Sequence, residues 1–453
     1  MNRFIHEGFV YHIYPLGLCG APNRNDFHSK PQNRLDYIHQ WIDHIKNLGV
    51  TIVYIGPIFE STSHGYDTSD YYHVDRRLGD RKSLANLVQA FHNKGIRVIF
   101  DAVFNHVGRN FWAFRDLLKN KQHSQYVDWF DGLKFGVRNP LVDNFTYKTW
   151  KKYYELVALN LKNPQVKEHL FKAVEMWINE LGVDGLRLDA ADCLKKPFVR
   201  QLKKYCQKIK PDFWILGEVV HGDYRKRTND KMLDSVTNYQ CYRELFHSFN
   251  HSDFSEIAKA FQRQFGDNGI YNEISTCTFL DNHDVNRIAS NLKNKAHLYP
   301  LHALLFTMVG IPSIYYGSEF SIKGKKHRTT DNELRPYIDI SKMYRNKDFD
   351  LINAIKKFAE IRKSSIALCY GKYRELFVSG EQFAFARITN NEYIIVIINA
   401  SGNNASINLR ITEIWNAKVI DILNNNDVFY ITNNNLNVSP IWSNWARILK
   451  VVF

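Results

Sequence analysis

Short apolar runs alternate with segments of helical periodicity through about the first 370 residues, and this alternation restricts the possible folds most strongly. The runs are rich in β-branched and aromatic residues and end at polar, glycine or proline residues. They predict eight strands, at 9–14, 51–55, 96–100, 183–188, 213–216, 233–237, 276–280 and 311–316. Strands that alternate with helices form βαβ units and a parallel sheet. Eight strand–helix pairs fit a (β/α)8 TIM barrel.

Apolar residues recur at helical spacing between these strands. The segments predicted as helices run through 35–48, 83–91, 166–181, 196–209, 254–265, 301–305 and 349–366. We expect Gly49 to close the first of them, because glycine readily adopts the left-handed conformation that ends a helix. We expect Ser83 to cap the second, because its hydroxyl can accept from a free backbone N–H.

Two segments depart from the alternation. Residues 107–155 carry aromatic residues, lysines and aspartates with no clear helical period, which predicts a small inserted domain (domain B) after the third strand. After residue 370, short alternating runs are separated by asparagine-rich turns, which is typical of a C-terminal antiparallel β-sandwich domain at 371–453. The barrel then comprises residues 1–106 and 156–370.

The bulk properties narrow the class of protein. The net charge is +14, but the cations are spread without a basic block, so a solvated basic surface is favoured over a nucleic-acid partner. The six cysteines show no paired or metal-like spacing, and the N-terminus has no apolar signal region. The longest apolar run, 301–316, is too short to span a membrane. We expect a cytoplasmic protein with reduced thiols and leave its oligomeric state open.

Arg187 and Asp189 lie at the carboxyl end of the predicted fourth strand. Residues two apart on a strand face the same way, so the guanidinium and the carboxylate point into one space. We expect Arg187 to hold Asp189 ionised and to fix its side-chain conformation. A purely structural ion pair is the alternative interpretation of these two residues alone.

Asp189 and Glu218 follow adjacent strands, which lie about 4.8 Å apart in a sheet. Two carboxyl groups about 5–5.5 Å apart are typical of glycosidases that retain the anomeric configuration through a covalent intermediate. Arg187 makes Asp189 the ionised member of the pair. The apolar neighbours Trp214, Ile215 and Leu216 could help Glu218 to keep a proton.

Four motifs at the predicted strand ends occur together in one order. They are DAVFNH (101–106), GLRLDAADC (185–193), GEV (217–219) and FLDNHD (279–284). In sequence and spacing they resemble the conserved regions of the α-amylase family of glycoside hydrolases. The resemblance covers the barrel, the inserted domain and the C-terminal β domain, which is almost the whole chain.

The resemblance implies roles for five residues. Asp189 matches the nucleophile and Glu218 the general acid/base of the family. Asp284 matches the third carboxylate, which binds sugar hydroxyls in the distorted state. His106 and His283 match histidines that hydrogen-bond the sugar in the cleavage subsite.

Three further residues match substrate-binding positions of the family. Tyr66, in HGYDTSDYY, corresponds to the tyrosine that stacks beneath the sugar ring, although a packed loop aromatic is the alternative. Asp331 and Arg335 correspond to the pair that binds the next sugar on the non-reducing side. The same spacing also arises from an i,i+4 ion pair on a helix.

The segment ALNLKNPQV (158–166) occupies the place of a further family motif, where Asn160 matches. The QPDLN version typical of α-1,6-glucosidases and sucrose-acting members is absent. The loop 324–336 resembles intracellular maltodextrin- and cyclomaltodextrin-degrading members. Those members often carry an extra N-terminal β domain, whereas this chain starts directly on the first barrel strand. That difference argues against active sites built across a dimer.

The resemblance implies a retaining hydrolase that cleaves α-1,4-glucosidic bonds in maltooligosaccharides, cyclodextrins or starch fragments. Two alternatives stay open: a transglycosylase of the same family, and a non-catalytic glycan-binding member. All three family carboxylates are present, which weighs against the last. The expected partner is therefore an oligosaccharide or α-glucan, with neither a membrane nor a nucleic acid.

No cofactor is expected. Many α-amylases bind a structural Ca²⁺ between the barrel and the inserted domain, and Asn105 matches one of its ligands. Cys193 stands where those enzymes place a histidine that donates its backbone carbonyl. The acidic residues of the insertion form no recognisable ligand cluster, although Ca²⁺ requires six to eight oxygens. We therefore expect no calcium site and no metal ligands.

Overall fold

The computed structural model describes residues 3–345 and 349–453. Eight parallel strands close into a barrel, as the alternation predicts. The barrel strands are Val10–Ile13, Ile52–Ile55, Arg97–Ala102, Gly185–Leu188, Trp214–Gly217, Ser235–Thr237, Ser275–Phe279 and Ile311–Tyr315. The first strand pairs with both the second and the eighth, which closes the cylinder.

Alternation along each strand separates the interior of the barrel from its outer layer of helices. Trp214 and Leu216 belong to the apolar cluster inside the barrel, together with Ile52 and Ile99. Ile215, between them in sequence, belongs to the larger core that joins the strands to the helices. The strands are therefore buried on both faces, which explains why they appear as continuous apolar runs.

The helices follow the strands in order. The longer helices are Arg81–Asn93, Pro164–Asn179, Lys196–Ile209, Tyr239–His251, Ser255–Phe265, Leu298–Thr307 and Asp350–Ser364. Shorter helices are Arg3–His6, Pro15–Leu18, Asp36–His39, Ile42–Asn47, Ile288–Asn291, Ile340–Arg345 and Ile366–Tyr370. No described helix is long and apolar enough to cross a membrane.

Several sequence predictions for the helices need correction. The segment 35–48 forms two short helices, because the chain turns between His39 and Ile42. Asp80, not Ser83, is the N-cap of Arg81–Asn93: its carboxylate accepts from Ser83 N, and the Ser83 hydroxyl accepts in return from Asp80 N. This reciprocal capping box satisfies two backbone donors at once. The helix Tyr239–His251 was not predicted.

The inserted segment is built on a small antiparallel sheet. Its strands are His106–Gly108, Thr149–Trp150 and Tyr153–Ala158, and a second pair joins Lys134–Phe135 to Phe145–Thr146. The segment also contains the helix Trp112–Asn120, where the sequence showed no clear period. Ala113, Phe114 and Leu117 form its buried side, and nine residues are too few for the pattern to repeat.

The C-terminal segment forms one antiparallel sheet of eight strands. They are Lys372–Val378, Gln382–Ile388, Tyr393–Asn399, Ala405–Arg410, Asn416–Asp421, Val428–Thr432, Asn435–Ile441 and Trp445–Val452. The two edge strands of this sheet contact each other, so it curls around a shared apolar core. That core includes Ile395, Ile397, Ile407 and Val438.

Candidate active site

The predicted catalytic carboxylates lie side by side at the carboxyl ends of the fourth and fifth barrel strands. Leu188 pairs with Gly217, and each is followed directly by one of the two acids. The backbone N–H of Glu218 donates to Leu188 O at 3.0 Å, and that of Asp189 donates to Ala102 O at 3.1 Å. The sheet register therefore continues to both acids and holds their backbones in place.

One guanidinium contacts three carboxylates at this rim. Nη1 of Arg187 lies 2.9 Å from Asp101 Oδ1 and 2.9 Å from Asp189 Oδ1, and Nη2 lies 3.0 Å from Glu218 Oε1. The Arg187 side chain is fully enclosed, with 3% of its surface exposed. The sequence predicted the pair with Asp189 but not the contacts with Asp101 and Glu218. Those residues come from the neighbouring strands on either side.

The protonation of Asp189 differs from the sequence prediction. Burial raises the pKa of Asp189 well above its usual range, and the nearby carboxylates of Glu218 and Asp101 raise it further. Arg187 opposes this shift but is shared among three acids. These surroundings therefore oppose the ionisation of Asp189 that the sequence predicted from Arg187 alone.

The surroundings of Glu218 also differ from those predicted. Its Oε2 accepts from the backbone N–H of Ala190 at 2.9 Å, and its Oε1 lies 3.5 Å from the Tyr239 hydroxyl. Trp214 and Leu216 point into the barrel interior instead. Ala190 has a φ of 43°, an uncommon left-handed conformation for a residue with a side chain. Glu218 is thus surrounded by donors rather than by apolar groups.

Tyr239 is a residue of the site that the sequence did not reveal. Burial raises the pKa of its hydroxyl well above the usual range, so the group stays protonated. It accepts from Asn282 Nδ2 at 2.9 Å. Its position at the start of an unpredicted helix left no sequence signal that could have identified it.

Asp284 lies in a second charged group at the rim. Arg335 Nη2 lies 3.2 Å from Asp284 Oδ1 and 3.0 Å from Asp331 Oδ2, and its Nε donates to His283 O at 3.1 Å. Burial acts to raise the pKa of Asp284, but His283 and Arg335 outweigh it and hold the pKa well below the usual range. Asp284 is therefore ionised.

The Asp331–Arg335 ion pair forms, but not on an α-helix. The two residues flank a short 3-10 turn, Asn332–Leu334. Arg335 also reaches Asp284, so the pair links the outer part of the site to its third carboxylate. The ring of Tyr14 covers the Arg335 guanidinium at 4.8 Å.

Tyr66 and His106 line the cleft, and His283 packs directly against Tyr66. The Tyr66 ring lies parallel to that of His283, with centroids 5.2 Å apart, and its hydroxyl donates to Asp101 Oδ2 at 2.9 Å. Burial lowers the pKa of His106 to about 4, so its ring is neutral above that pH. His106 Nε2 and His283 Nδ1 are buried and have no hydrogen-bond partner among the described residues. Such atoms are available to a ligand.

These residues open into one cleft of about 1000 Å³. Asp189, Glu218 and Asp284 lie together in it, with Tyr66, His106, Asp331 and Arg335. The cleft is also lined by Trp150 and Tyr153 of the inserted segment, whose rings lie 6.0 Å apart with an angle of 24° between them. A cleft of this size with carboxylates and exposed aromatic rings fits an oligosaccharide.

The residues at the place where the resemblance implies calcium have partners within the protein. The backbone carbonyl of Asn105 accepts from Leu159 N at 3.1 Å, and its side chain lies beside His106. On both sides of Cys193, the carbonyls of Asp192 and Leu194 accept from the Arg227 guanidinium. Across 3–345 and 349–453, no three His, Cys, Asp or Glu side chains are grouped to hold a metal ion. The Arg227 guanidinium therefore lies in this neighbourhood, and it would repel a second cation beside it.

Comparison with known proteins gives consistent matches. The catalytic-domain model of the α-amylase family matches residues 28–363. A cyclomaltodextrinase of Thermoanaerobacter pseudethanolicus is 34% identical over 89% of this chain and 72% of its own length. An intracellular maltogenic amylase of Bacillus subtilis is 29% identical over 88% of this chain and 67% of its own length. A solved cyclomaltodextrinase structure superposes with a TM-score of 0.86, at 27% identity, over 100% of this chain and 79% of that one.

Proposed function

The chain belongs to the α-amylase family of glycoside hydrolases, and on that basis we propose that it hydrolyses α-1,4-glucosidic bonds with retention of configuration. The substrates proposed are maltooligosaccharides, cyclodextrins or starch fragments, in line with the names of its relatives. One observation carries the mechanism: Asp189 and Glu218 contact the same buried guanidinium, so the two carboxyl groups lie close together.

The first step needs Asp189 ionised and Glu218 protonated. In this proposal Glu218 carries the proton for the first step, and Arg187 stabilises the negative charge on Asp189. Glu218 donates this proton to the glycosidic oxygen while Asp189 attacks the anomeric carbon. The bond to the leaving sugar breaks, and a covalent glycosyl ester forms on Asp189.

The second step reverses these roles. Glu218, now a carboxylate, accepts a proton from water while the water oxygen attacks the anomeric carbon. The ester bond breaks and Asp189 leaves as a carboxylate. Two inversions at one carbon give net retention, and Glu218 regains its proton for the next turnover.

The remaining residues hold the sugar. Asp284 is ionised and accepts hydrogen bonds from sugar hydroxyls, and the nitrogens of His106 and His283 that have no partner among the described residues are assigned to the same sugar. Tyr66 supplies an apolar ring face beside them. Asp331 and Arg335 bind the neighbouring sugar on the non-reducing side. These are the roles that the family resemblance implies for the same residues.

Transglycosylation is a second candidate, favoured by the aromatic pair of Trp150 and Tyr153. Tyr153 has 57% of its surface exposed in the cleft. Exposed aromatic rings there could hold a second sugar whose hydroxyl replaces water in the second step. The chemistry up to the ester on Asp189 is the same in both cases.

The proposal is tested by proton NMR during hydrolysis of maltoheptaose. We expect the α-anomer of the new reducing end to appear first. Early appearance of the β-anomer would rule out Asp189 as a nucleophile, and absence of any product from maltoheptaose, β-cyclodextrin or pullulan would favour a glycan-binding protein. New longer oligosaccharides at high substrate concentration would identify transglycosylation.

An intracellular location is part of this proposal. Two relatives are named intracellular maltogenic amylases. The test is fractionation of the source cells, with activity on maltoheptaose expected in the cell extract and not in the medium.

A further inference from the structure

A second cavity, here called the side pocket, lies beside the active-site cleft. Its volume is about 680 Å³. It is enclosed by the barrel loop 62–67 and by the helix Trp112–Asn120 of the inserted segment. Arg24, Ser63 and His64 line both cavities, so the two spaces adjoin. A ligand that extends from the cleft past these three residues would enter the side pocket.

A hydrogen bond links the segment just before this helix to the barrel loop. Asn110, just before the helix, donates through Nδ2 to Thr62 Oγ1 at 3.1 Å. Arg109 forms two contacts with Asp143, at 2.7 and 3.0 Å, and its charge is thereby neutralised. Asp67 is satisfied in turn by the backbone N–H and hydroxyl of Ser63, at 3.1 and 2.6 Å. Arg109 and Asp67 thus have partners within the protein and need no ligand for their charges.

Three other cations of the lining are not neutralised in this way. Arg24, Arg115 and Lys119 are exposed, and none forms an ion pair within 4.0 Å in the described parts of the chain. Glu155 is the remaining acidic residue of the lining. The side pocket therefore carries an excess of positive charge next to the cleft.

The arrangement on the helix is unfavourable without a counter-charge. Arg115 and Lys119 are four residues apart, so their side chains lie on one face of the helix. Like charges at this spacing destabilise a helix. The acid between them, Asp116, instead accepts from Ser124 and Asn120. An anion in the side pocket would remove this repulsion.

We propose that the side pocket binds a phosphate monoester carried by an α-glucan whose neutral sugars occupy the cleft. A phosphate monoester carries close to two negative charges at neutral pH and three acceptor oxygens. Guanidinium groups match those oxygens with paired N–H donors, and lysine adds a point charge. Unmodified glucose units have no charge that would need these cations. The inference rests on the proposed function for the neutral part of the substrate.

The test measures affinity by calorimetry with the full-length Glu218→Gln protein, which does not consume the ligand. The ligands are a maltooligosaccharide that bears one 6-phosphate and its neutral counterpart of equal length. We expect the phosphorylated ligand to bind about 10-fold more tightly. Adding Arg115→Gln and Lys119→Gln should abolish this preference without changing the affinity for the neutral ligand. Arg24→Gln alone should reduce it.

Lys134→Gln is the matched control, because Lys134 is an exposed cation of the inserted segment outside the side pocket. It should keep the full preference. An equal thermal midpoint for the control and the double variant shows that both are folded.

Competition with inorganic phosphate distinguishes the free ion from the ester as the ligand. If phosphate competes at concentrations well below those of the phosphorylated sugar, the free ion is the ligand and the proposal is overturned.

Two further outcomes separate this inference from the proposed function. Equal affinities for the phosphorylated and neutral ligands overturn the side-pocket proposal, while hydrolysis of neutral maltoheptaose by the unmodified protein leaves the proposed function intact. If neutral glucans are not hydrolysed but the phosphorylated ligand keeps its preference in the calorimeter, the pocket inference stands and the proposed function fails.

Discussion

The rim of the barrel and the core of the C-terminal sheet are both buried, but charged residues form the first and aliphatic residues the second. At the rim, Asp101, Arg187 and Asp189 are enclosed together, and two histidine nitrogens nearby have no hydrogen-bond partner among the described residues. The C-terminal core is aliphatic, with Ile395 and Ile397 fully buried. Buried like charges cost stability, whereas buried aliphatic groups contribute it. The difference indicates that the rim is arranged for chemistry and the C-terminal core for stability.

The C-terminal sheet does contain a buried ion pair, and its geometry sharpens the contrast. Arg447 Nη1 lies 2.7 Å from Asp421 Oδ2, and the same guanidinium donates to Pro440 O. Asp421 also accepts from Leu423 N and Asn424 Nδ2. Arg447 Nη1 also lies 2.8 Å from Asp427 Oδ2, so this guanidinium is shared by two carboxylates. At the rim, by contrast, three carboxylates share the guanidinium of Arg187.

The largest effect is expected from removing a rim carboxylate. Asp189→Ala or Glu218→Gln should lower kcat by about 1000-fold or more, because each removes a group that forms or breaks a bond. The thermal midpoint should stay the same or rise, since fewer like charges are buried together. Steady-state kinetics and a thermal melt check both results. A large loss of stability in either variant would contradict the conclusion that the rim serves chemistry and the C-terminal core serves stability.

The reverse result is expected in the C-terminal core. Ile395→Ala should lower the free energy of unfolding by about 2–5 kcal/mol, because it deletes buried methyl groups and leaves a cavity. Turnover at a temperature where the protein remains folded should not change. Denaturant unfolding and kinetics measure the two quantities. The control is Val452→Ala in the same sheet, where 42% of the side chain is exposed and little loss is expected.

We expect His302 of the barrel to contribute to the loss of folding stability at low pH. Residues 371–453 contain no histidine, whereas His302 is buried in the barrel helix Leu298–Thr307, and burial lowers its pKa to about 4. The unfolded state binds a proton near pH 6.5, so the free energy of unfolding falls between pH 6.5 and 4, by up to about 3 kcal/mol for this group.

His302→Gln removes that titration while its amide can still donate to Leu298 O, the partner of the His302 ring. In urea unfolding, the free energy of unfolding of this variant should fall less between pH 6.5 and 4 than that of the unmodified protein. Between pH 7 and 8 the two proteins should show nearly the same dependence on pH. An unchanged slope at low pH would show that the acid sensitivity arises elsewhere.

A smaller effect is expected at the outer part of the site. Arg335→Ala should lower kcat/KM for maltotriose by about 10- to 100-fold, the range for loss of a charged hydrogen bond. An aryl α-glucoside with a single sugar should lose less, because it does not reach Arg335 and Asp331. Lys342→Ala, at an exposed lysine, serves as the control. Equal losses on both substrates would mean that Arg335 acts only through Asp284.

The smallest effect is expected from chelation. Because the carbonyls beside Cys193 are bound by Arg227, and the described residues form no His, Cys, Asp or Glu cluster for a metal, a chelator should change neither the activity nor the thermal midpoint. A thermal melt and an assay with and without the chelator measure this. A fall in the midpoint that Ca²⁺ restores would contradict it, because a ligand bound only to the folded state stabilises that state.

Much of the fold could be predicted because it depends on local patterns. The strand at 183–188 and the helix Lys196–Ile209 follow from runs and periods within a few residues. The split of 35–48 and the helix Trp112–Asn120 could not be predicted, because short helices are set by tertiary packing more than by their own sequence. The cap by Asp80 was missed because Ser83 is equally suited to a cap in sequence.

By itself the sequence determined which acids meet: Asp189 and Glu218 end neighbouring strands, and their adjacency follows from the order of the barrel. Only the tertiary structure decided how those acids are charged and what surrounds them. Arg187 meets Asp101, which is 86 residues away in the chain, and burial by distant elements raises the pKa of Asp189. Charge states depend on the sum of all nearby groups and on solvent exclusion, and neither quantity is encoded in a local motif.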